Sequence, residues 1–277
     1  MTRDKRLTAA RPDLAAESLR GIIEAPRYAL GERRVVREPV APVRRAPSPG
    51  ASLDTEALLG ETVTVYDEDM EGWAWGQLDT DGYVGYLPVN ALALPDAAPT
   101  HRVSVPRTFL FPQLDIKLPP LATLSFGARV AVRSERDGFA ITAGGAIFAR
   151  HVVPLEMKEP DFVTVAAQFL GTPYLWGGRS AFGFDCSGLV QTALAACGIA
   201  APRDSDMQEA ALGAPLDPSG PFRRGDLLFW PGHVAIVEAP DLLLHANAFH
   251  MMVAREPLEP ALARIAATSP LRAAKRL

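Results

Sequence analysis

Alternation of polar and apolar residues over positions 61–88 predicts three short strands. Glu61–Tyr66 alternates like a half-buried strand, and Trp73–Leu78 and Tyr83–Pro88 follow after turns rich in aspartate and glycine. Short strands joined by such turns are typical of a small β-barrel. The pattern therefore predicts a first barrel, to which we assign residues 51–95.

A fainter version of the same pattern follows the first barrel. Strand-like stretches at 126–132 and 139–148 are separated by a turn. Residues 60–92 and 127–152 look like diverged copies, an internal repeat with a period of about 65 residues. We therefore predict a second small barrel over residues 96–155.

Helical spacing distinguishes the rest of the chain, which we assign to one domain over residues 156–277. Apolar residues recur at helical intervals in Asp161–Leu170 and in Cys186–Cys197. Three apolar strands are predicted at Leu227–Trp230, Val234–Val237 and Leu242–Ala246. This mixture predicts an α+β domain that is large enough to have its own core.

The first 50 residues differ from the rest in charge and in proline content. They carry a net charge of +5, while the remaining residues sum to −9. The prolines between Pro39 and Pro49 disfavour a helix or a central strand. We predict an extended, basic lead-in arm over residues 1–50, with one short helix near Asp13–Arg20.

Composition limits the classes of protein that fit. The 277 residues suffice for two or three domains, and 48% hydrophobic with 22% charged residues excludes a disordered chain or a coiled coil. The net charge of −4 argues against nucleic-acid binding through a positive field. Two cysteines permit neither a disulfide framework nor a four-cysteine zinc site.

Neither a membrane span nor a signal peptide is readable in the sequence. No apolar run reaches the roughly 18 residues that a membrane helix needs. The charged start is not followed by an apolar stretch of the kind that a signal peptide requires. We therefore expect a cytoplasmic protein that acts away from the membrane.

Cys186 is the strongest candidate for a nucleophile. It begins a predicted helix, where unpaired N–H groups and the helix dipole lower the pKa of a thiol. Asp185 precedes it as a natural helix cap, and Gly183 allows a sharp turn. Cys197 lies at the apolar end of the same helix, so we assign it to the core.

A thiol nucleophile needs a base, and histidine has the suitable pKa. His233 and His245 fall on neighbouring predicted strands joined by a short turn, which brings them close together. One would take the thiol proton and the other would orient it. His250 is the alternative third residue, while His101 and His151 lie outside this domain.

Five short blocks of the third domain carry a family resemblance. In chain order they are Gly171–Gly178, Phe184–Gly188, Arg224–Phe229, Gly232–Ile236 and Leu244–Ala246. Their order and spacing resemble those of the NlpC-type cysteine peptidases, papain-like enzymes that cut bacterial cell-wall peptides. The predicted architecture is then a papain-like α+β catalytic domain preceded by two SH3-like barrels.

The resemblance implies a role for each catalytic residue. Cys186 would be the nucleophile, His233 the base and His245 the third, orienting residue. The backbone N–H of Cys186 and the hydroxyl of Tyr174 would stabilise the oxyanion.

The two predicted barrels narrow the resemblance to γ-D-glutamyl-diamino-acid endopeptidases, which trim murein peptides that have a free N-terminal L-alanine. An ammonium group in a closed pocket needs a carboxylate and other acceptors. The residues implied for substrate binding are Asp185 and Ser187 beside the nucleophile, Asp204 and Ser205 in the same domain, and Glu61 with Tyr86, or alternatively Tyr83, in the first barrel.

The sequence therefore predicts a cysteine endopeptidase that recycles cell-wall peptides. We expect a monomer that needs no metal and no organic cofactor, with a murein-derived peptide as its ligand. Two alternatives stay open: an amidase or acyltransferase that uses the same thiol, and a non-catalytic protein that binds murein peptides.

Overall fold

A computed structural model describes residues 3–277 and divides the chain into two compact units. The N-terminal unit ends at Glu156, and the C-terminal unit spans Met157–Leu277. The division lies one residue after the boundary that the sequence predicts. Each unit has hydrophobic core clusters of its own.

Strands dominate the N-terminal unit. They are β1 (Ala10–Arg11), β2 (Leu14–Ala16), β3 (Arg27–Ala29), β4 (Glu32–Val36), β5 (Val40–Arg44), β6 (Leu53–Leu58), β7 (Thr62–Glu68), β8 (Trp73–Leu78), β9 (Val84–Pro88), β10 (Leu92–Ala93), β11 (His101–Val103), β12 (Arg107–Phe111), β13 (Ala122–Ser125), β14 (Arg129–Val130), β15 (Ser134–Arg136), β16 (Phe139–Ile141), β17 (Ala146–Phe148) and β18 (Val152–Pro154). Short 3-10 helices occur at Glu17–Leu19, Val89–Ala91 and Ala149–His151.

One seven-stranded antiparallel sheet contains the three strands predicted for the first barrel. Its strand order is β10-β4-β7-β8-β9-β5-β6. Alternate side chains such as Val63 and Val65 on β7 join a buried core with Leu78 and Leu87. This alternation is the pattern that predicted β7, β8 and β9 from the sequence.

The lead-in segment is structured, which corrects the predicted extended arm. Strands β4 and β5 lie inside the seven-stranded sheet, so residues 32–44 are part of the barrel. β9 pairs with β5 only at Arg44, which leaves Pro42 away from that ladder and explains how proline is tolerated. The helix predicted near Asp13–Arg20 is instead β2 followed by a 3-10 helix.

The second half of the N-terminal unit contains two smaller sheets. Their strand orders are β14-β11-β18 and β13-β12-β17-β16-β15. Side chains of both sheets, including Val103 and Ile147, share one core cluster. The long strand predicted at 139–148 is broken by a turn, because Thr142 accepts and donates hydrogen bonds around residues 142–145. The SH3-like identity of residues 96–155 stays a prediction.

The C-terminal unit combines helices with a six-stranded sheet. Its helices are α1 (Phe162–Ala167), α2 (Cys186–Ala196), α3 (Ser205–Ala211) and α4 (Leu258–Ala266), and its strands are β19 (Arg179–Ser180), β20 (Gly183–Phe184), β21 (Ala214–Leu216), β22 (Leu227–Trp230), β23 (His233–Ala239), β24 (Leu242–Asn247), β25 (Met252–Pro257) and β26 (Ala273–Arg276). The sheet order is β21-β26-β22-β23-β24-β25. The predicted α+β class is confirmed for this unit.

Helix α2 packs against β23 and β24, and this packing positions the start of the helix. Ten of its eleven residues are buried, from Cys186 to Ala196. Residues of α4, including Leu258 and Ala261, join a core cluster with Leu243. Because successive strand residues point to opposite faces, His245 lies on the same face of β24 as Leu243.

Within residues 3–277, none of the helices combines the length and the apolar character that crossing a bilayer requires.

Candidate active site

The thiol of Cys186 lies at the first residue of helix α2. Asp185 caps the helix, because its carboxylate accepts a hydrogen bond of 2.7 Å from the backbone N–H of Gly188. The sulfur lies 4.0 Å from the carbonyl oxygen of Gly232, immediately before β23. Nucleophile and strand β23 therefore meet where His233 begins the strand.

A buried ion pair holds the start of α2 in place. The guanidinium of Arg203 donates to both carboxylate oxygens of Asp185, at 2.9 and 2.6 Å, and its side chain is fully buried. The same guanidinium donates to the Ser187 hydroxyl at 3.0 Å and to the Gly178 carbonyl at 3.3 Å. A Cβ on Gly188 would clash with that carbonyl, so glycine permits the close approach. The pair thus joins three chain segments beside the nucleophile.

These contacts change the roles implied for Asp185 and Ser187. The Asp185 carboxylate also accepts a hydrogen bond of 2.9 Å from the N–H of Gly177, so both of its oxygens have partners within the protein. The Ser187 hydroxyl is buried between Asp185 and Arg203. Both side chains therefore support the start of α2 from inside the protein, and the substrate contact that the resemblance implies for them stays a prediction.

The pKa of the Cys186 thiol differs from the sequence-based expectation. Burial, with a smaller contribution from the negative charge of Asp185, raises the pKa to about 12. The backbone N–H groups of Val234 and Ser187 and the charge of Arg203 act in the opposite direction but do not outweigh burial. At neutral pH the free protein therefore holds a protonated thiol at this position.

His233 and His245 meet as the sequence predicts, and a carboxylate extends the pair. Nε2 of His233 lies 3.0 Å from Nδ1 of His245, and Nε2 of His245 lies 3.2 Å from Oε2 of Glu256. Arg264 in turn binds Glu256 at 3.0 and 2.7 Å. The four side chains form one hydrogen-bonded row that ends at the base.

Both imidazoles are neutral at physiological pH. Burial, reinforced by the charge of the neighbouring imidazole, lowers the pKa of His233 to about 3. Burial lowers the pKa of His245 to about 4, against the opposing effect of Glu256. The ring of Trp230 lies 5.6 Å from that of His233 and helps to cover it. A neutral imidazole is the form that can accept a proton from the thiol.

Tyr174 lies within electrostatic range of the nucleophile. Its backbone is held by a bridge to Phe184 and by donation of 2.9 Å to the Met251 carbonyl. Burial and then the charges of Cys186 and Asp185 raise the pKa of its hydroxyl to about 12. The hydroxyl therefore stays protonated at neutral pH and can act as a hydrogen-bond donor.

Asp204 and Ser205 mark the start of helix α3, directly after Arg203. Both side chains are partly exposed. The buried Gln208 on the same helix donates hydrogen bonds of 2.9 Å to the carbonyls of Ser187 and Pro202. This helix is thereby tied to the first turn of α2.

The residues expected from the first barrel differ in exposure. Glu61 is only 2% exposed, and it accepts hydrogen bonds from the Leu58 N–H at 2.9 Å and the Thr80 hydroxyl at 3.2 Å. Tyr83 belongs to the barrel core. Both side chains thus have partners inside the barrel, and their assignment to an ammonium pocket stays a prediction. Tyr86 is partly exposed and borders a cavity of about 340 Å³.

Sequence reasoning missed the partners of the functional groups. Arg203 stands in the Arg203–Ser205 stretch, but only its two neighbours were singled out. Glu256 carried no signal, because its approach to His245 depends on the register of β24 with β25. Among residues 3–277, no cluster of three or more His, Cys, Asp or Glu side chains has a metal-binding arrangement.

Each unit contains a region that matches a known protein family. A family model of bacterial dipeptidyl-peptidase SH3 domains matches residues 43–92, and a model of the NlpC/P60 family matches residues 171–264. Residues 171–264 therefore form an NlpC/P60 domain, and residues 43–92 form a bacterial SH3 domain. The resemblance seen in the sequence is confirmed for these two regions, and the SH3 match begins within β5, eight residues before the predicted start at residue 51.

Individual relatives agree with these domains. The chain is 34% identical over 200 residues to the γ-D-glutamyl-L-lysine dipeptidyl-peptidase of Bacillus subtilis (strain 168), covering 64% of each protein. It is 30% identical over 203 residues to the protein of the same name in Bacillus cereus (strain ATCC 10987 / NRS 248), covering 64% of this chain and 60% of that one. The matches thus span less than two thirds of these relatives.

The fold is shared with a solved structure. An NlpC/P60 family protein from Bacillus cereus ATCC 10987 superposes with a TM-score of 0.73 at 23% identity. The superposition covers 88% of this chain and 99% of that chain. At this level of identity, the likeness establishes the fold.

Replacing Arg203 by leucine should destabilise the C-terminal unit by about 3–5 kcal/mol, because it leaves the buried Asp185 carboxylate without its counter-ion. Arg255 offers a matched control: it forms a bidentate pair with Glu238 at 2.6 Å but is 47% exposed. Arg255→Leu should cost less than about 1 kcal/mol. Urea unfolding of both variants measures the difference, and equal losses would contradict a special role for Arg203.

Acid should weaken the C-terminal unit through its buried histidines. Because the folded-state pKa values of His233 and His245 lie below the usual 6.5, the unfolded chain binds protons first as the pH falls. The free energy of unfolding should therefore decrease between pH 6.5 and 4, by about 1.4 kcal/mol per pH unit for each histidine. Urea unfolding of His245→Gln should show a shallower decrease, while His101→Gln should keep the wild-type slope. Parallel curves for all three proteins would refute this origin.

Proposed function

We propose that this protein is a thiol peptidase that hydrolyses the γ-D-glutamyl-diamino acid bond of murein peptides bearing a free N-terminal L-alanine. The observation that carries the proposal is the meeting of the Cys186 helix start with β23, whose His233 is backed by His245 and Glu256. The names of the relatives point to the same bond type, with lysine as their diamino acid.

The attack begins from a neutral pair. The sulfur of Cys186 bonds to the γ-carbonyl carbon of D-glutamate while His233 takes the thiol proton. Burial disfavours the thiolate and the imidazolium alike, which favours transfer of the proton during bond formation.

The oxyanion that forms needs hydrogen-bond donors at fixed positions. The backbone N–H of Cys186, at the unpaired start of α2, supplies one donor. The protonated hydroxyl of Tyr174 supplies the other. Both donors belong to segments that contact the Phe184–Asp185 stretch, which supports their acting together on the oxyanion.

Collapse of the tetrahedral intermediate breaks the C–N bond. The imidazolium of His233 returns its proton to the leaving amine of the diamino acid, and a thioester to Cys186 remains. Water then attacks the thioester as His233 accepts its proton, and the thiol is restored with release of L-alanyl-D-glutamate.

Recognition of the free N-terminus rests on Asp204 and Ser205. A carboxylate and a hydroxyl at the partly exposed start of α3 suit an ammonium group, which has only donors. Peptides with an unblocked alanine arise from degraded cell wall, so the proposed task is recycling of such peptides inside the cell.

The free-amine peptide should be the preferred substrate. L-alanyl-γ-D-glutamyl-meso-diaminopimelate should be cleaved at the γ-glutamyl bond. Its N-acetylated form should be cleaved roughly 10-fold more slowly, or slower still. Mass spectrometry of the products measures both reactions. Cys186→Ala should lose about 10⁴-fold or more in rate, and Cys197→Ala, which removes the other cysteine, should stay active.

The outcomes separate the alternatives. Equal cleavage of both peptides would keep the peptidase but refute the ammonium site at Asp204. Transfer of the acyl group to an added amine without hydrolysis would favour the acyltransferase. Binding of the peptides without any product, in wild type and in Cys186→Ala alike, would favour the non-catalytic binding protein.

A further inference from the structure

The row of hydrogen bonds behind the base continues past the two histidines. Glu256 lies on β25, where its backbone pairs with Leu243, and His245 pairs with Ala254. His245 and Glu256 are thus diagonal neighbours on adjacent strands, a spacing that long side chains can bridge. The contact of 3.2 Å between Nε2 and Oε2 is buried.

The protonation state of each ring nitrogen follows from this contact. Arg264 lowers the pKa of Glu256 below its usual value although burial opposes this, so the carboxylate is ionised and only accepts hydrogen bonds. Nε2 of His245 must then carry the hydrogen, which leaves Nδ1 as an acceptor. Nε2 of His233, 3.0 Å away, must therefore donate to it.

The tautomer of His245 determines which nitrogen of His233 can accept a proton. A neutral imidazole carries one hydrogen, so Nδ1 of His233 is left with its lone pair, ready to accept a proton from the thiol. If His245 adopted the other tautomer, it would donate to Nε2 of His233, and the hydrogen of His233 would move to Nδ1. The base would then have no acceptor free for the proton of Cys186.

We infer that Glu256 is a positioning residue that selects the productive tautomers of His245 and His233 through the Glu256–His245–His233 hydrogen bonds, with Arg264 holding the carboxylate in place. This inference rests on the proposed function of Cys186 and His233. It adds a carboxylate, and an arginine that holds it, to the predicted set of Cys186, His233 and His245.

The surroundings of His245 limit the source of this effect. The charged or titratable groups that shift the pKa values of the two imidazoles are Glu256 on β25, Arg264 on α4 and His250 in the turn after β24, and His245 also acts on His233. Cys186, at the start of α2, approaches the carbonyl of Gly232 just before His233. Glu256 is the negative charge that raises the pKa of both imidazoles, and Arg264 lowers them. Removing the charge of Glu256 should therefore make His233 harder to protonate.

Two substitutions of Glu256 separate the effect of its negative charge from its effect on the tautomers. Glu256→Gln keeps an oxygen that can accept from His245 but removes the charge, so kcat/KM should fall roughly 10-fold with KM unchanged, since catalytic proton transfer weakens without loss of binding. Glu256→Leu removes the acceptor as well, and kcat/KM should fall by about 10²–10³-fold.

A second readout is independent of the substrate. The rate of alkylation of Cys186 by iodoacetamide, localised by peptide mass spectrometry and measured against pH, reports proton uptake by His233. Glu256→Gln should move the acidic limb of this profile to lower pH by about half a unit, because the lost negative charge no longer favours the imidazolium. If Glu256 had only a structural role, its substitution would lower stability and leave the acidic limb of the alkylation profile at the wild-type pH.

Glu238→Gln provides the matched control. Glu238 is a carboxylate of the same sheet, 11% exposed and bound bidentately by Arg255, but it does not contact His245. This variant should keep the wild-type pH profile and kcat/KM. The inference would be overturned if the acidic limb of the alkylation profile stayed at the wild-type pH in Glu256→Gln. An equal shift of that limb in Glu238→Gln would overturn it as well.

The two measurements also distinguish failure of the proposed function from failure of the inference about Glu256. If the wild type cleaves no murein peptide but the alkylation limb moves as expected, the proposed function fails while the role of Glu256 stands. If the wild type cleaves the peptide and both Glu256 variants match it in kcat/KM and in alkylation, the role of Glu256 fails alone.

Discussion

The buried pair of Asp185 and Arg203 is the interaction on which the site depends. A charge pair without solvent is stable only when its hydrogen bonds are complete, and here the carboxylate also caps helix α2 and accepts from Gly177. The guanidinium extends the connection to Gly178. The position of Cys186, next in the chain after Asp185, is therefore defined by contacts that lie behind it, away from the reacting atoms.

The second constraint is the removal of solvent from around Cys186, His233 and His245 at the reaction centre. Burial holds the thiol of Cys186 and the imidazole of His233 in their neutral forms, so charge develops only as the substrate reacts. In such a setting, the direction of each hydrogen bond decides whether the base can work. Glu256 and Arg264 provide the only fixed charges in the row behind His233, and they set that direction.

The sequence allowed local patterns to be predicted, while contacts between distant segments escaped prediction. Both ends of the strand Trp73–Leu78 were predicted correctly, because its alternation and its flanking turns are visible in the neighbouring sequence. The helix start at Cys186 was predicted from its capping residue, Asp185. The strand containing Pro42 was missed because the tolerance for proline depends on which neighbour pairs there. Arg203 was overlooked because the burial of a charged residue depends on a partner elsewhere in the chain, here Asp185.

The most direct test of this account is to trap the covalent intermediate. Wild-type protein mixed with L-alanyl-γ-D-glutamyl-meso-diaminopimelate and quenched in acid within one turnover should gain the mass of one L-alanyl-γ-D-glutamyl group. Peptide mapping should place that group on Cys186, and Cys186→Ala should show neither the added mass nor hydrolysis. An adduct on another residue, or hydrolysis that persists in Cys186→Ala, would contradict the central claim that this thiol is the nucleophile.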